Sequence, residues 1–390
     1  MMASPSLSAS AASNSTMQPA LVPIGTHSLW ASISGPIAGS GSDNGPSSAS
    51  HSQPSQPCPV EPDRGLNPDP SPSPIVVIIP GAGDVASAFV VLERLLRPFT
   101  RVLLYDRSGL GKSERRPGSR PAPGSAVVRA DENENDGSTA ASVLLNSASP
   151  SGPISGALQA ATELGSLLRA LGLTHTSLSP LILLAHSYGG IVAREFLHIY
   201  PDMVVGMVLV DCATERGSEF FSVPDPNIAA VLGNLNFARV TGLRGSTVLS
   251  DEEWRDRARE IHASSETVAA EASSFREVCE NLKSKRQVEN QPLGHKPLVV
   301  LRANTASDYE GIYQAGLEAG NGSEAERQKF RELLDRWDGV DEMLQREQLG
   351  LSSVTRYITL ENCGHNVHLI RPDAVVEAVR WVRERVLDRA

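Results

Sequence analysis

Basic side chains are scarce where the chain begins. Residues 1–74 contain one, Arg64, and no lysine; the first lysine is Lys112. The same stretch holds 18 serines and 13 of the 27 prolines. A segment this polar buries too little apolar surface to offset its chain entropy. Residues 1–22 therefore read as a disordered arm. Over the whole chain 35 basic residues face 45 acidic ones, a net charge of −10, with no Lys/Arg block and no basic stripe interleaved with aromatics. Nucleic acid is thereby excluded as an expected partner. No apolar run approaches the roughly 20 residues of a membrane span; the longest, such as Ile75–Ile79 and Leu181–Ala185, have the length of strands. A charged segment leading into an apolar one, the mark of a secretory signal, is missing, and so are the arginines of a transit peptide, which makes a cytoplasmic location the expectation. The four cysteines (Cys58, Cys212, Cys279 and Cys363) form no CxxC pair. That argues against a zinc site or a disulfide framework and fits a reducing compartment.

What is present has the rhythm of an α/β domain. Leu29, Ala31 and Ile33 alternate with polar or aromatic neighbours, the period-2 pattern of an edge hairpin strand within residues 22–35. Residues 36–74 and 114–155 read as low-complexity insertions. Between and after them, apolar runs at Ile75, Arg101, Leu181, Val204, Pro297 and Arg356 alternate with helical patterns, as right-handed βαβ units of a largely parallel sheet require. Residues 213–295 break that rhythm. They are mostly helical and read as a cap inserted after the sixth strand, the rest of 23–390 forming one catalytic domain.

Chemistry concentrates at Leu183-Leu-Ala-His-Ser-Tyr-Gly-Gly-Ile-Val. A buried strand runs into Ser187 and a helix follows at once. Such a turn holds a serine in a strained conformation with its hydroxyl above the sheet, and it needs small residues two before and two after, here Ala185 and Gly189. The helix that starts there points free N–H groups at any developing oxyanion. Pro80-Gly-Ala-Gly, directly after the first buried strand, supplies another such N–H, so Ala82 and Tyr188 are the candidate oxyanion donors. His365, in Cys363-Gly-His-Asn-Val-His368, follows the last strand and can act as general base and acid towards Ser187. Gly109-Leu-Gly-Lys-Ser ends like a phosphate-binding loop, but the glycine that motif needs falls on Asp106, so the match fails.

The order Pro80-Gly-Ala-Gly, Tyr105-Asp-Arg-Ser-Gly-Leu-Gly-Lys-Ser, Ala185-His-Ser-Tyr-Gly-Gly, Val208-Leu-Val-Asp and Gly364-His365 resembles the α/β-hydrolase superfamily, closest to its soluble, cap-bearing members. The resemblance spans residue 75 to the C-terminus. It implies a mostly parallel central sheet flanked by helices, and hydrolysis through a Ser/His/acid triad in the chain order Ser, acid, His. It also implies that Asp106 and Arg107 belong to a structural turn.

Two positions are open for the acid. Asp211 ends the strand Val204–Val210, and Asp308 lies seven residues past Leu301, beyond the spacing usual in the family. Asp211 is favoured, and Glu215 is a remote third. A serine nucleophile implies attack on an acyl carbon, so ester, thioester or lactone hydrolysis of a small to medium apolar molecule leads. Acyl transfer and C–C cleavage use the same groups, and a non-catalytic ligand-binding role exists on the same fold. No metal or organic cofactor is required, and no protein partner is expected. Phe220, Phe221, Leu232, Leu235, Phe237 and Trp254 are the expected apolar roof of the pocket.

Overall fold

The computed structural model describes residues 17–36, 73–118, 156–173 and 180–389. Eight strands form one sheet: β1 (Met17–Pro23), β2 (Ser28–Ser34), β3 (Ile75–Ile79), β4 (Arg101–Tyr105), β5 (Leu181–His186), β6 (Val204–Val210), β7 (Leu298–Ala303) and β8 (Thr355–Leu360). Their order across the sheet is β1-β2-β4-β3-β5-β6-β7-β8. β1 and β2 are antiparallel to each other, β2 is antiparallel to β4, and all later pairings are parallel.

The strand chemistry explains this arrangement. β3, β4 and β5 are buried along their whole length, as expected of strands covered on both faces. Successive side chains then serve opposite layers. Ile75, Val77 and Ile79 pack with the helices Ala157–Ala170 and Gly189–Ile199, while Val76 and Ile78 pack with Val90–Leu96 and Pro372–Leu387. β2 alternates between buried and half-buried residues, as an edge-proximal strand does.

The disordered arm expected through residue 22 is corrected here: regular structure starts at Met17, because β1 pairs with β2 across a turn in which Ile24 N–H donates to the His27 carbonyl at 2.8 Å. Backbone pairing to a neighbouring strand overrides the poor local composition. Residues 1–16 and most of both low-complexity insertions lie outside the described residues.

Helices roof the carboxyl edge of the sheet. Some come from the block between β6 and β7, which is helical from Gly217 to Asn290 with short breaks. Others come from Thr305–Glu318 and Glu324–Glu347, between β7 and β8. One apolar cluster joins the two groups: Ile228, Val231, Leu232 and Phe237 from the first, Ile312, Phe330, Leu333, Leu334 and Trp337 from the second. Trp254 departs from expectation, being buried in the layer beneath the sheet with Leu243 and Leu249, and Phe220 carries the Arg216 guanidinium over its ring. No helix among the described residues is long and apolar enough to cross a membrane.

Candidate active site

β5 delivers Ser187 into a turn two residues before the helix that starts at Gly189. Ser187 has φ +54°, a left-handed backbone that costs a non-glycine residue on the order of 1–3 kcal/mol and persists where the surroundings enforce it. The surroundings here are the ends of β3 and β6. Ser187 N–H donates to the Val210 carbonyl at 3.2 Å, and its own carbonyl accepts from Gly190 and Ala213 N–H at 3.0 Å each. A Cβ on Gly189 would lie 2.6 Å from the Pro80 carbonyl oxygen and nearer still to that of Ile79, which is why the second position after the serine must be bare.

β6 ends at Asp211, the second left-handed residue of the site at φ +46°. Its Oδ1 accepts the Ala303 N–H at 2.9 Å, and its Oδ2 accepts the Thr305 hydroxyl at 2.6 Å. His365 Nδ1 stands 2.6 Å from the same Oδ2. Nδ1 donates in that pair, which leaves Nε2 of the neutral ring as an acceptor. Burial resists charging His365, but the Asp211 carboxylate outweighs it, with help from Asp308, and raises the imidazole pKa above its ordinary value.

Asp308 holds the same histidine by its main chain. It lies in the first turn of Thr305–Glu318 and accepts the His365 N–H at 2.8 Å. Burial pushes its carboxyl up to about 6. A Cβ on Gly364 would fall 2.5 Å from the Asp308 Cγ, so the glycine before the histidine makes this close approach possible. The two acids proposed as alternatives thus both touch His365, one at the ring and one at the backbone. Glu215 instead pairs with the buried Arg194, at 2.5 and 2.7 Å.

Ser187, Asp211 and His365 line one cavity of about 230 Å³ together with Ala82 and Tyr188, the two expected oxyanion donors. Phe221, Phe237, Phe275, Ile228, Leu333 and Trp337 supply much of its apolar wall. Its carboxylates are Asp211, Asp225, Glu271, Asp308 and Asp341, and no lysine or arginine stands among the described lining residues.

A second cluster lies behind the edge that carries Ser187 and His365. His186 Nε2 donates to the His365 carbonyl at 2.9 Å, and its ring sits 4.4 Å from that of His368. His368 is stacked on Phe89 at 4.2 Å, with Nε2 3.2 Å from Asp84 Oδ2. Burial lowers the pKa of both histidines. Asp84, His186 and His368 could offer metal ligands within 4.8 Å of one another. However, Arg257 Nη2 lies 3.1 Å from Asp84 and already neutralises it, and all four side chains are buried. Strand periodicity explains how His186 escaped notice in the sequence: it alternates away from the neighbouring serine and reads as an ordinary strand residue. Glu271 carried no signal, since its partners lie far away in sequence.

A family model described as "Alpha/beta hydrolase family" matches residues 76–378. An "AB hydrolase superfamily protein" of Gibberella zeae is 27% identical over 319 residues, covering 79% of this chain and 86% of that one. "Probable transporter efuK" of Hormonema carpetanum is 26% identical over 371 residues, covering 94% of this chain and 42% of that one, so the chain spans less than half the length of this relative. Among solved structures, Cfl2 from Burkholderia cenocepacia has a TM-score of 0.50 at 14% identity, covering 93% of this chain and 94% of that one. DBJA has a TM-score of 0.53 at 14% identity, covering 95% of this chain and 98% of that one. At such identities the structural likeness speaks to the fold, and it agrees with the family match. The chain belongs to the alpha/beta hydrolase family.

Proposed function

We propose that the chain is a serine hydrolase that cleaves the ester, thioester or lactone bond of a small to medium apolar substrate through an acyl-enzyme on Ser187. The observation that carries this reading is the 2.6 Å contact between His365 Nδ1 and Asp211, in the cavity that Ser187 also lines. His365 Nε2 takes the Ser187 proton as Oγ bonds to the acyl carbon, and the carbonyl electrons move to oxygen. The N–H groups of Ala82 and Tyr188 receive that oxyanion. Collapse breaks the bond to the alcohol or thiol, which leaves with the proton from His365; water repeats the sequence and releases the acid.

The cavity supports the substrate class. Its wall is apolar, and its volume falls below the roughly 300–1,000 Å³ of drug-sized ligand pockets. With five carboxylates and no lysine or arginine among the described lining residues, it favours neutral substrates and disfavours retention of an anionic acid product. Labelling by a fluorophosphonate probe, lost in Ser187→Ala, tests the nucleophile. A panel of neutral esters of increasing acyl length, set against the same acyl groups ending in a carboxylate, tests the pocket. A well-folded protein that neither labels nor hydrolyses any of them would refute the reading and leave a ligand-binding role. Added alcohol or thiol acceptors that divert the acyl group from water would mark it as a transferase.

A further inference from the structure

We infer that Glu271, acting through Arg107, couples docking of the cap to assembly of the oxyanion loop. The inference rests on the hydrolase reading above and assigns the same site a positioning residue on the cap.

The loop Gly81-Ala82-Gly83 carries one expected oxyanion donor, the Ala82 N–H. It is held from both sides by one buried ion pair. Arg107 Nη1 donates to the Pro80 carbonyl at 2.6 Å and Nη2 to the Gly81 carbonyl at 2.7 Å. The same guanidinium donates through Nε and Nη2 to the two carboxylate oxygens of Glu271, at 2.9 and 2.8 Å. Glu271 closes the ring by accepting the Gly83 N–H at 2.7 Å. The side chains of Arg107 and Glu271 are 3% and 7% exposed. Ala82 therefore lies between two residues whose backbone groups are bound to one charge pair. The Arg107 guanidinium also sits 5.6 Å from the ring centre of Tyr188, the other expected donor.

Glu271 belongs to the cap helix Ser265–Ser273, not to the sheet domain. The rest of that helix touches the same loops. Val268 packs with Val85 and Leu110, and a Cβ on Gly83, at φ +63°, would lie 2.6 Å from a Val268 methyl. At its start, the Ser264 hydroxyl accepts the Gly111 N–H at 2.9 Å. A cap helix that lifts away to admit substrate takes Glu271 with it. Gly83 N–H then loses its acceptor, and Arg107 keeps its two carbonyl acceptors without a counter-charge. Seating the helix restores both, so the oxyanion loop is complete when the cap is closed over the substrate. Glu271 acts on the reaction through the loop and is a positioning residue.

Glu271→Gln and the double substitution Arg107→Met with Glu271→Leu test this. The second replaces a buried pair by apolar side chains, a change that folded proteins often tolerate, so it keeps the test open should the first fail to fold. Backbone hydrogen exchange is read over residues 79–85, with steady-state kinetics on a neutral ester. The expected result is exchange at least tenfold faster over this loop in either variant. With it comes a kcat lowered on the order of 10²–10³-fold, the size of one lost oxyanion donor, and a KM within about threefold of the parent, since the bulk of the apolar wall is untouched. Ser187→Ala serves as the control and leaves the loop's exchange unchanged. Unaltered exchange and kcat in a folded variant would overturn the coupling. If the parent protein fails to react with fluorophosphonate, the hydrolase reading falls by itself, and the exchange measurement still decides whether Glu271 orders the loop.

Discussion

Replacing Asp211 by asparagine separates the two acids that touch His365. The substitution is gentle to the backbone: Asp211 sits at φ +46°, a region that aspartate and asparagine both tolerate better than other side chains. What changes is the set of donors around Oδ2, which now meets the Thr305 hydroxyl at 2.6 Å and His365 Nδ1 at 2.6 Å. Asparagine has a single acceptor oxygen, and the Ala303 N–H at 2.9 Å, which can only donate, holds it at the Oδ1 position, while the Thr305 hydroxyl can turn to accept. Its amide N–H₂ then faces His365 and makes Nδ1 an acceptor. The imidazole proton moves to Nε2, where it blocks transfer from Ser187. A tautomer inverted in this way lowers kcat by about 10⁴-fold in a serine protease triad, which is about 5.4 kcal/mol of transition-state stabilisation. Asp308→Asn keeps a carbonyl oxygen for the His365 N–H that Asp308 now accepts at 2.8 Å. Its cost is expected at about tenfold, the scale of one weakened hydrogen bond. The assay is kcat/KM on a neutral ester for the parent and both variants, with circular dichroism confirming the fold. The reasoning is refuted if Asp211→Asn stays within tenfold of the parent while Asp308→Asn loses thousands.

Other outcomes follow from the same contacts. With the neutral His365 as the proposed base and the Asp211 carboxylate raising its pKa, kcat/KM is expected to fall as pH drops through a value above the ordinary one for histidine. The residual activity of Asp211→Asn should hold to lower pH, and a pH–rate profile for each shows whether the acid limb moves that way. Gly189→Ala pushes a methyl group into the Ile79 and Pro80 carbonyls and should destabilise the fold by about 3 kcal/mol in urea unfolding. Trp337→Ala removes a ring packed 4.2 Å from Tyr309 and 4.7 Å from Phe221. It should move the best acyl length upward on an ester panel, at a stability cost of about 3 kcal/mol. His27→Ala breaks the contact between the N-terminal hairpin and Ser108, whose hydroxyl donates on to Glu163 at 2.6 Å. A loss of about 1–2 kcal/mol in unfolding free energy with kcat unchanged would show that the tie is structural.

The sequence by itself determined the sheet and singled out the residues proposed for the centre of the site. Continuous apolar runs such as Ile75–Ile79 admit burial on both faces and little else, so the parallel core was legible from local composition. Ser187, with Ala185 and Gly189 around it, was legible because a steric demand of the turn is written into neighbouring positions. His365 could be read from its place after the last strand, next to a glycine. The tertiary structure alone decided what depends on groups distant in sequence. It divides the two aspartates between the ring and the backbone of His365, a choice made where β6, β7 and the start of Thr305–Glu318 converge. It recovers β1 from a stretch whose composition argues for disorder, because the gain comes from pairing with β2. It brings Glu271 to Arg107 across 164 positions, and it adds Glu324–Glu347 to the roof through an apolar face that packs on the earlier cap helices. Spacing within a segment carries local geometry, whereas these contacts arise from which surfaces the chain must cover once the sheet has formed.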